Sequence, residues 1–134
     1  MKYLITSVAI ALSLAFAHIA AAAAEANGEA TLIVYRIDNN ARSHGIKFDV
    51  RADYRNQGRI AAGEVIVITL NAGTVKLGSS LPNSPAVELE LKPDQVHYVE
   101  YGLTVRNNRS KLEVREVGEQ VAKLHLDELP ESTI

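Results

Sequence analysis

The chain contains no cysteine and no tryptophan. Without thiols there is no disulfide to staple a small domain, no thiolate nucleophile and no sulfur ligand for zinc. The lipid-modified N-terminal cysteine of a bacterial lipoprotein is excluded on the same ground. Other aromatics are scarce, with five Tyr and two Phe in 134 residues. Saccharide-binding and base-stacking surfaces are built on exposed aromatic rings, and little is available here to build one. A surplus of positive charge is also missing. The 14 Lys+Arg against 16 Asp+Glu leave a net charge of −2, which gives no electrostatic footprint for nucleic acid or an anionic membrane surface.

There is one long hydrophobic run, and it lies at the N-terminus. Lys2 supplies a positive charge, Leu4 to Ala20 is almost wholly apolar, and Ala20 to Ala24 is a tract of small residues. This is the layout of a secretory signal peptide. The run is short for a bilayer span, which needs roughly 20 apolar residues. His18 interrupts it, and no basic cluster follows. The expectation is a leader over 1–24, cleaved after Ala22 or Ala24, and a periplasmic or secreted product with no membrane span. A cut after Ala24 leaves the 110 residues 25–134 and removes Lys2 and no other formal charge, for a net of −3. That length makes one domain, which must be held by apolar burial alone.

Beyond residue 30 the period is two nearly everywhere. ATLIVYR over 30–36 reads as a strand. Ile46, Phe48, Val50, Ala52 and Tyr54 alternate with Lys47, Asp49, Arg51, Asp53 and Arg55, a half-buried strand with charges outside. Asn56-Gln57-Gly58 reads as a turn, and Gly58 to Ala62 as a short strand. Glu64 to Leu70 is apolar on both faces, as a central strand would be. Strands follow over 74–78, 87–91, 96–105 and 111–117, separated by Asn71-Ala72-Gly73, the loop Ser79–Pro85, Pro93-Asp94 and Asn107-Asn108. Turns every 8–12 residues between short strands predict an all-β, antiparallel sandwich of about seven strands. Its predicted core contains Phe48, Val50, Ile66, Ile68, Leu89, Val99, Leu103, Leu112 and Val114. After Gly118 the pattern fits a strand through Ala122, Leu124 and Leu126 or a short C-terminal helix through Val121, Leu124 and His125, and the helix is the favoured reading. The single domain is expected over 25–126, with an acidic tail over 127–134 that frays.

Several segments carry a resemblance. ATLIVYR opens the domain, Ala62-Gly63-Glu64 and Leu70-Asn71-Ala72-Gly73-Thr74-Val75 form Gly-centred turns, and Leu91-Lys92-Pro93-Asp94-Gln95-Val96-His97-Tyr98-Val99 is a turn running into a strand. Over 30–117 the chain resembles the bacterial domain-of-unknown-function family 2846, small envelope domains similar to transthyretin-like and PEGA-like β-sandwiches. Asp94 stands where the pattern has Gly, and His97 where it has Tyr. The resemblance implies a sandwich in the cell envelope and supplies no site, since a fold this general does not imply a function.

Chemistry-bearing residues are few. Gly58 and Gly63 have phosphate-loop spacing without the following Lys-Ser/Thr, and read as turn glycines. Asp49 with Asp53, and Glu88 with Glu90, pair carboxylates along a strand, but Lys47, Arg51 and Arg55 interleave the first pair, as on a solvated face. His44, His97 and His125 lack metal-ligand spacing. His97 shares parity with Val99, Tyr101 and Leu103 and is expected as a buried imidazole bonded to a backbone carbonyl at the Pro93 corner. No serine sits in a nucleophile elbow. Neither a catalytic residue nor a cofactor or metal site is expected. The leading reading is an exported, non-enzymatic envelope domain with a protein partner, docked on an exposed strand edge for which Ala30–Arg36 is the candidate. Alternatives are a saccharide- or peptidoglycan-binding module and an enzyme inhibitor projecting the 79–85 loop.

Overall fold

The computed structural model describes residues 28–38 and 41–129; the leader-like segment 1–24 lies outside the described residues. Eight strands form two four-stranded sheets. The strands are β1 (Glu29–Arg36), β2 (Phe48–Ala52), β3 (Arg55–Ile60), β4 (Val65–Asn71), β5 (Gly73–Ser79), β6 (Val87–Leu91), β7 (Val96–Arg106) and β8 (Arg109–Val117). One sheet has the order β4-β1-β7-β8, the other β3-β2-β5-β6. A helix, α1 (Glu119–Glu128), follows β8. The all-β sandwich is therefore present, with eight strands for the expected seven. Among the described residues no helix is long and apolar enough to cross a membrane.

Alternating side chains fill the space between the sheets. Leu32 and Val34 of β1, Phe48 and Val50 of β2, Leu77 of β5, Leu91 of β6 and Val99, Tyr101 and Leu103 of β7 are at most 2% exposed. Of the nine predicted core residues eight are buried, and Ile66 is partly buried against the same cluster. Tyr101 adds a ring the prediction did not name. It stacks on Phe48 with centroids 6.0 Å apart, and its hydroxyl donates to Gly78 O at 2.9 Å.

Strand neighbours differ from the expectation. β1 pairs antiparallel with β4 on one side and parallel with β7 on the other, so this sheet is mixed. Ala30–Arg36, expected at an edge, is central. β4, expected to be central, is an edge. Apolar residues on both faces of β4 do not report what lies beside its backbone, and on its outer face Val65 and Val67 are exposed.

The first hairpin also turns earlier than expected. Its loop is Asp53-Tyr54, both left-handed (φ 50° and 70°), with Ala52 opposite Arg55. Two positive φ values in a two-residue loop match the right-handed twist of the strands. Asp53 is tied down by its N–H to Lys76 O (2.8 Å) and by its Oδ1, which accepts from Lys76 N–H (3.0 Å). Asn56-Gln57-Gly58 lies inside β3. Asn56 Oδ1 accepts from Gly58 N–H (2.8 Å), and with Gly58 at φ 140° the pairing with β2 slips beside it as a bulge. At the other hairpin Asn107 and Asn108 take φ 52° and 62°, with Arg106 opposite Arg109, where the sequence placed a turn. Asp94, in the turn before β7, is left-handed as well (φ 61°), a conformation Asp tolerates better than most non-glycine residues.

Segment 119–126 is helical. α1 buries Ala122 and half-buries His125, Leu126 and Leu129 at 3.6-residue spacing against the outer face of β7, leaving Val121 and Leu124 exposed. It continues to Glu128, so the domain passes the boundary expected at 126, and Asp127 and Glu128 belong to the helix. Residues 130–134 of the expected tail lie outside the described residues.

Candidate functional site

The carboxylate pairs do not converge. Asp49 sits on the outer face of β2 and accepts from Arg59 Nε at 3.3 Å, whereas Asp53 occupies the hairpin loop. Glu90 accepts from Thr74 Oγ1 at 2.9 Å, and Glu88 lies opposite Lys76 in the register. This is a mixed-charge solvated surface with no shared cavity for acid–base work. Gly58 marks a bulge rather than a turn, and Gly63 a turn (φ 80°); they do not frame a phosphate loop. His44 is exposed in the turn after the short 3₁₀ segment Ala41–Ser43. Among the described residues no three His, Asp or Glu side chains gather as metal ligands.

His97 is buried, but its partners are not the expected carbonyl. Its Nε2 accepts from the Lys92 backbone N–H (3.1 Å), and its Nδ1 lies 2.9 Å from Glu116 Oε2. A backbone N–H donor requires a lone pair on Nε2, so the proton sits on Nδ1 and is donated to Glu116. The ring thus joins the end of β6 to β7 and β8. Glu116 escaped sequence reading because it comes from β8, where it lies opposite Val99.

Two polar clusters were missed. Arg36 and Asp38 are fully buried and paired, Nε to Oδ1 at 2.9 Å and Nη2 to Oδ2 at 2.6 Å. Arg36 Nη1 also donates to the carbonyls of Ile46 (2.6 Å) and Ile60 (3.0 Å), and Nη2 to that of Ser43 (2.9 Å). All five guanidinium N–H groups are used, and the cation lies 4.8 Å from the centroid of the Phe48 ring. A signal existed: Leu32, Val34, Arg36 and Asp38 share parity, which puts opposite charges two residues apart on the inward face. The cluster fastens the 41–46 segment to β1 and β3 and exposes nothing reactive.

The second cluster lies under α1. Tyr35 Oη is 2.9 Å from His125 Nδ1 and donates to Glu100 Oε1 (3.4 Å), which also faces His125 Nδ1 at 3.2 Å and Arg115 Nη2 at 3.4 Å. Burial, then the Glu100 carboxylate, pushes the Tyr35 phenol up to about 12. The phenol therefore stays protonated at neutral pH and docks the helix on the sheet. Tyr35 is fully buried, so no solute reaches its hydroxyl.

The 79–85 loop is held down. Ser79 Oγ bonds Ser84 Oγ (2.9 Å) and accepts from Leu81 N–H (3.1 Å), Ser84 Oγ donates to Leu81 O (3.0 Å), and Leu81 packs on the core. Beside it an open cleft is lined by Arg51, Lys76 and Tyr54, the last 81% exposed.

The sheet edges set one strand apart. β3 carries Arg55, Arg59 and the bulge; β6 has five residues, two of them Glu88 and Glu90; β8 carries Arg109, Lys111, Glu113, Arg115 and Glu116. Charge, bulges and brevity are the devices that keep edges from pairing. β4, VIVITLN, has none of them. Glu64, just before it, is turned back to accept from Ala61 N–H (2.8 Å). Arg36 N–H donates to Glu64 O (3.1 Å) and Thr31 N–H to Gln95 O (3.0 Å), so even residues of β1 address β4 and odd ones β7. Through the pairs Leu32↔Ile68 and Val34↔Ile66, the same alternation commits Ile66, Ile68 and Leu70 to β1. The backbone groups of Val65, Val67, Thr69 and Asn71 point away from the sheet, and no described strand lies beyond them. Comparison with known proteins gives no match to any protein-family model, to any curated protein or to any solved structure.

Proposed function

We propose that this is an exported, non-enzymatic domain of the cell envelope that binds protein by accepting an extended segment along β4. The observation that carries the reading is the contrast between β4 and the other three edges. An edge strand with free N–H and C=O groups and no protective charge is a template for strand addition, in which the main chain supplies affinity and alternate side chains supply selectivity. The leader-like N-terminus and the resemblance to small envelope sandwiches support export. The non-catalytic reading is supported by the polar clusters, whose buried members serve the scaffold.

The test is a titration of dilute, isotope-labelled protein with an extended Val-Thr octapeptide flanked by lysines. Amide shifts should concentrate at Val65, Val67 and Thr69. Shifts confined to another edge, or none, would refute the reading. One observation favours a second reading: Tyr54 stands exposed beside Arg51 and Lys76, a ring and two cations suited to an acidic saccharide. Binding of peptidoglycan fragments that is lost in Tyr54→Ala would establish that alternative.

A further inference from the structure

We infer that the segment accepted by β4 is the β4 strand of a second copy of this chain, paired antiparallel about a twofold axis through Ile68. The inference rests on the strand-accepting reading of β4 and names its occupant.

The strand complements itself. Val65–Asn71 is centred on Ile68, and antiparallel overlap over its full length sets Val67 opposite Thr69 of the second copy and Val65 opposite Asn71. On the inward face Ile68 meets Ile68, and Ile66 meets Leu70. The outward-pointing backbone groups all belong to odd residues, and in this register odd residues face odd residues. The pairing therefore forms about eight N–H···O=C bonds and leaves no free group between them. Ile66 and Leu70, each only partly buried in one copy, gain a neighbour from the other copy along the seam.

Charge argues for a like partner. A strand bearing Lys or Glu would meet its own charge across a twofold axis, and like charges on facing strands are destabilising. β4 bears none in seven residues, whereas β8 and β6 would repel themselves. The neutral strand offers no charge by which a foreign partner would be selected. Because the remaining edges are charged, bulged or short, the assembly closes at two copies and does not propagate into a fibre.

Analytical ultracentrifugation of the processed chain should show a species of two copies that dissociates on dilution. The amides of Val65, Val67 and Thr69 should exchange slowly with deuterium only where the dimer is populated. Val67 is 66% exposed, so Val67→Lys and Val67→Glu should each fold with an unchanged circular dichroism spectrum. Each alone places two like charges diagonally across the axis and should weaken association by up to about fivefold. A mixture of the two variants should associate again. A dimer indifferent to Val67→Lys, or variants that fail to rescue one another, would overturn the assignment. A single-copy mass at millimolar concentration would overturn the dimer while leaving the edge reading intact, provided the Val-Thr peptide still shifts the β4 amides. Loss of both results removes both.

Discussion

Replacing Asp38 with Ala tests the account of this fold most severely. In the native protein the Asp38 carboxylate takes two N–H groups of Arg36, at 2.9 and 2.6 Å, and accepts from the Leu103 backbone N–H at 3.3 Å. Both side chains of the ion pair are fully buried. Truncation strands a guanidinium that has three carbonyl partners and a Phe48 ring but no counter-charge. Breaking a buried pair in this way costs about 3–5 kcal/mol, because the desolvated charge has no route back to water. Against a total stability of about 5–15 kcal/mol, that is at least about a fifth of what holds the domain. Urea denaturation provides the assay. With a slope near ~1.5 kcal/mol per M, the midpoint should fall by about 2–3 M at unchanged slope. Arg36→Met strands the carboxylate and three carbonyls and should cost a similar amount. The double variant should lose much less than the sum of the two, since each partner is stranded only while the other remains. A loss below ~1 kcal/mol in Asp38→Ala, or strict additivity in the cycle, would mean that solvent reaches the pair and that Arg36 is not the fastening of the 41–46 segment.

Two further outcomes follow from other side chains. His97→Ala should lower stability by about 1–3 kcal/mol by stranding the Lys92 N–H and removing packing, whereas Glu116→Gln should stay within ~0.5 kcal/mol, since an amide oxygen still accepts from Nδ1–H; equal losses in urea titrations would contradict the neutral tautomer. Tyr35 is raised from 10.0 to about 12 and burial pushes Tyr101 higher still, so the unfolded chain releases these phenolic protons first and stability should be fully present below pH 10 and fall between pH 10 and 12. Tyr35→Phe should flatten part of that fall, and a stability indifferent to pH over this window would show that the phenol beneath α1 is solvated.

Much of the fold was legible because alternation is intrinsic to a strand. The inward positions Phe48, Val50, Leu89, Val99, Leu103, Leu112 and Val114 could be read without knowing any neighbour, since the pleat sends every second side chain to one face. Asn107-Asn108 was readable as a turn because Asn tolerates the left-handed backbone. The Asp53-Tyr54 turn was not, because Tyr carries no such signal; what holds it is Lys76, 23 residues away. His97 was placed on the correct face, but one of its two partners comes from a strand that only register brings alongside.

The sequence by itself determined the class of fold, the two-residue period that sorts inside from outside, and most of the core. Each of these depends on residues close together in the chain. Tertiary structure alone decided that Arg36 would be buried against Asp38 beneath three carbonyls from the 43–60 stretch. It also decided that β1 lies parallel to β7 and that β4 is left at the rim. Periodicity encodes which face of a strand is apolar, whereas the occupant of a strand's hydrogen-bonding edges depends on pairings dozens of residues apart. For this reason Val65–Asn71, which reads like an interior strand, is an edge whose outward backbone groups have no strand beside them among the described residues.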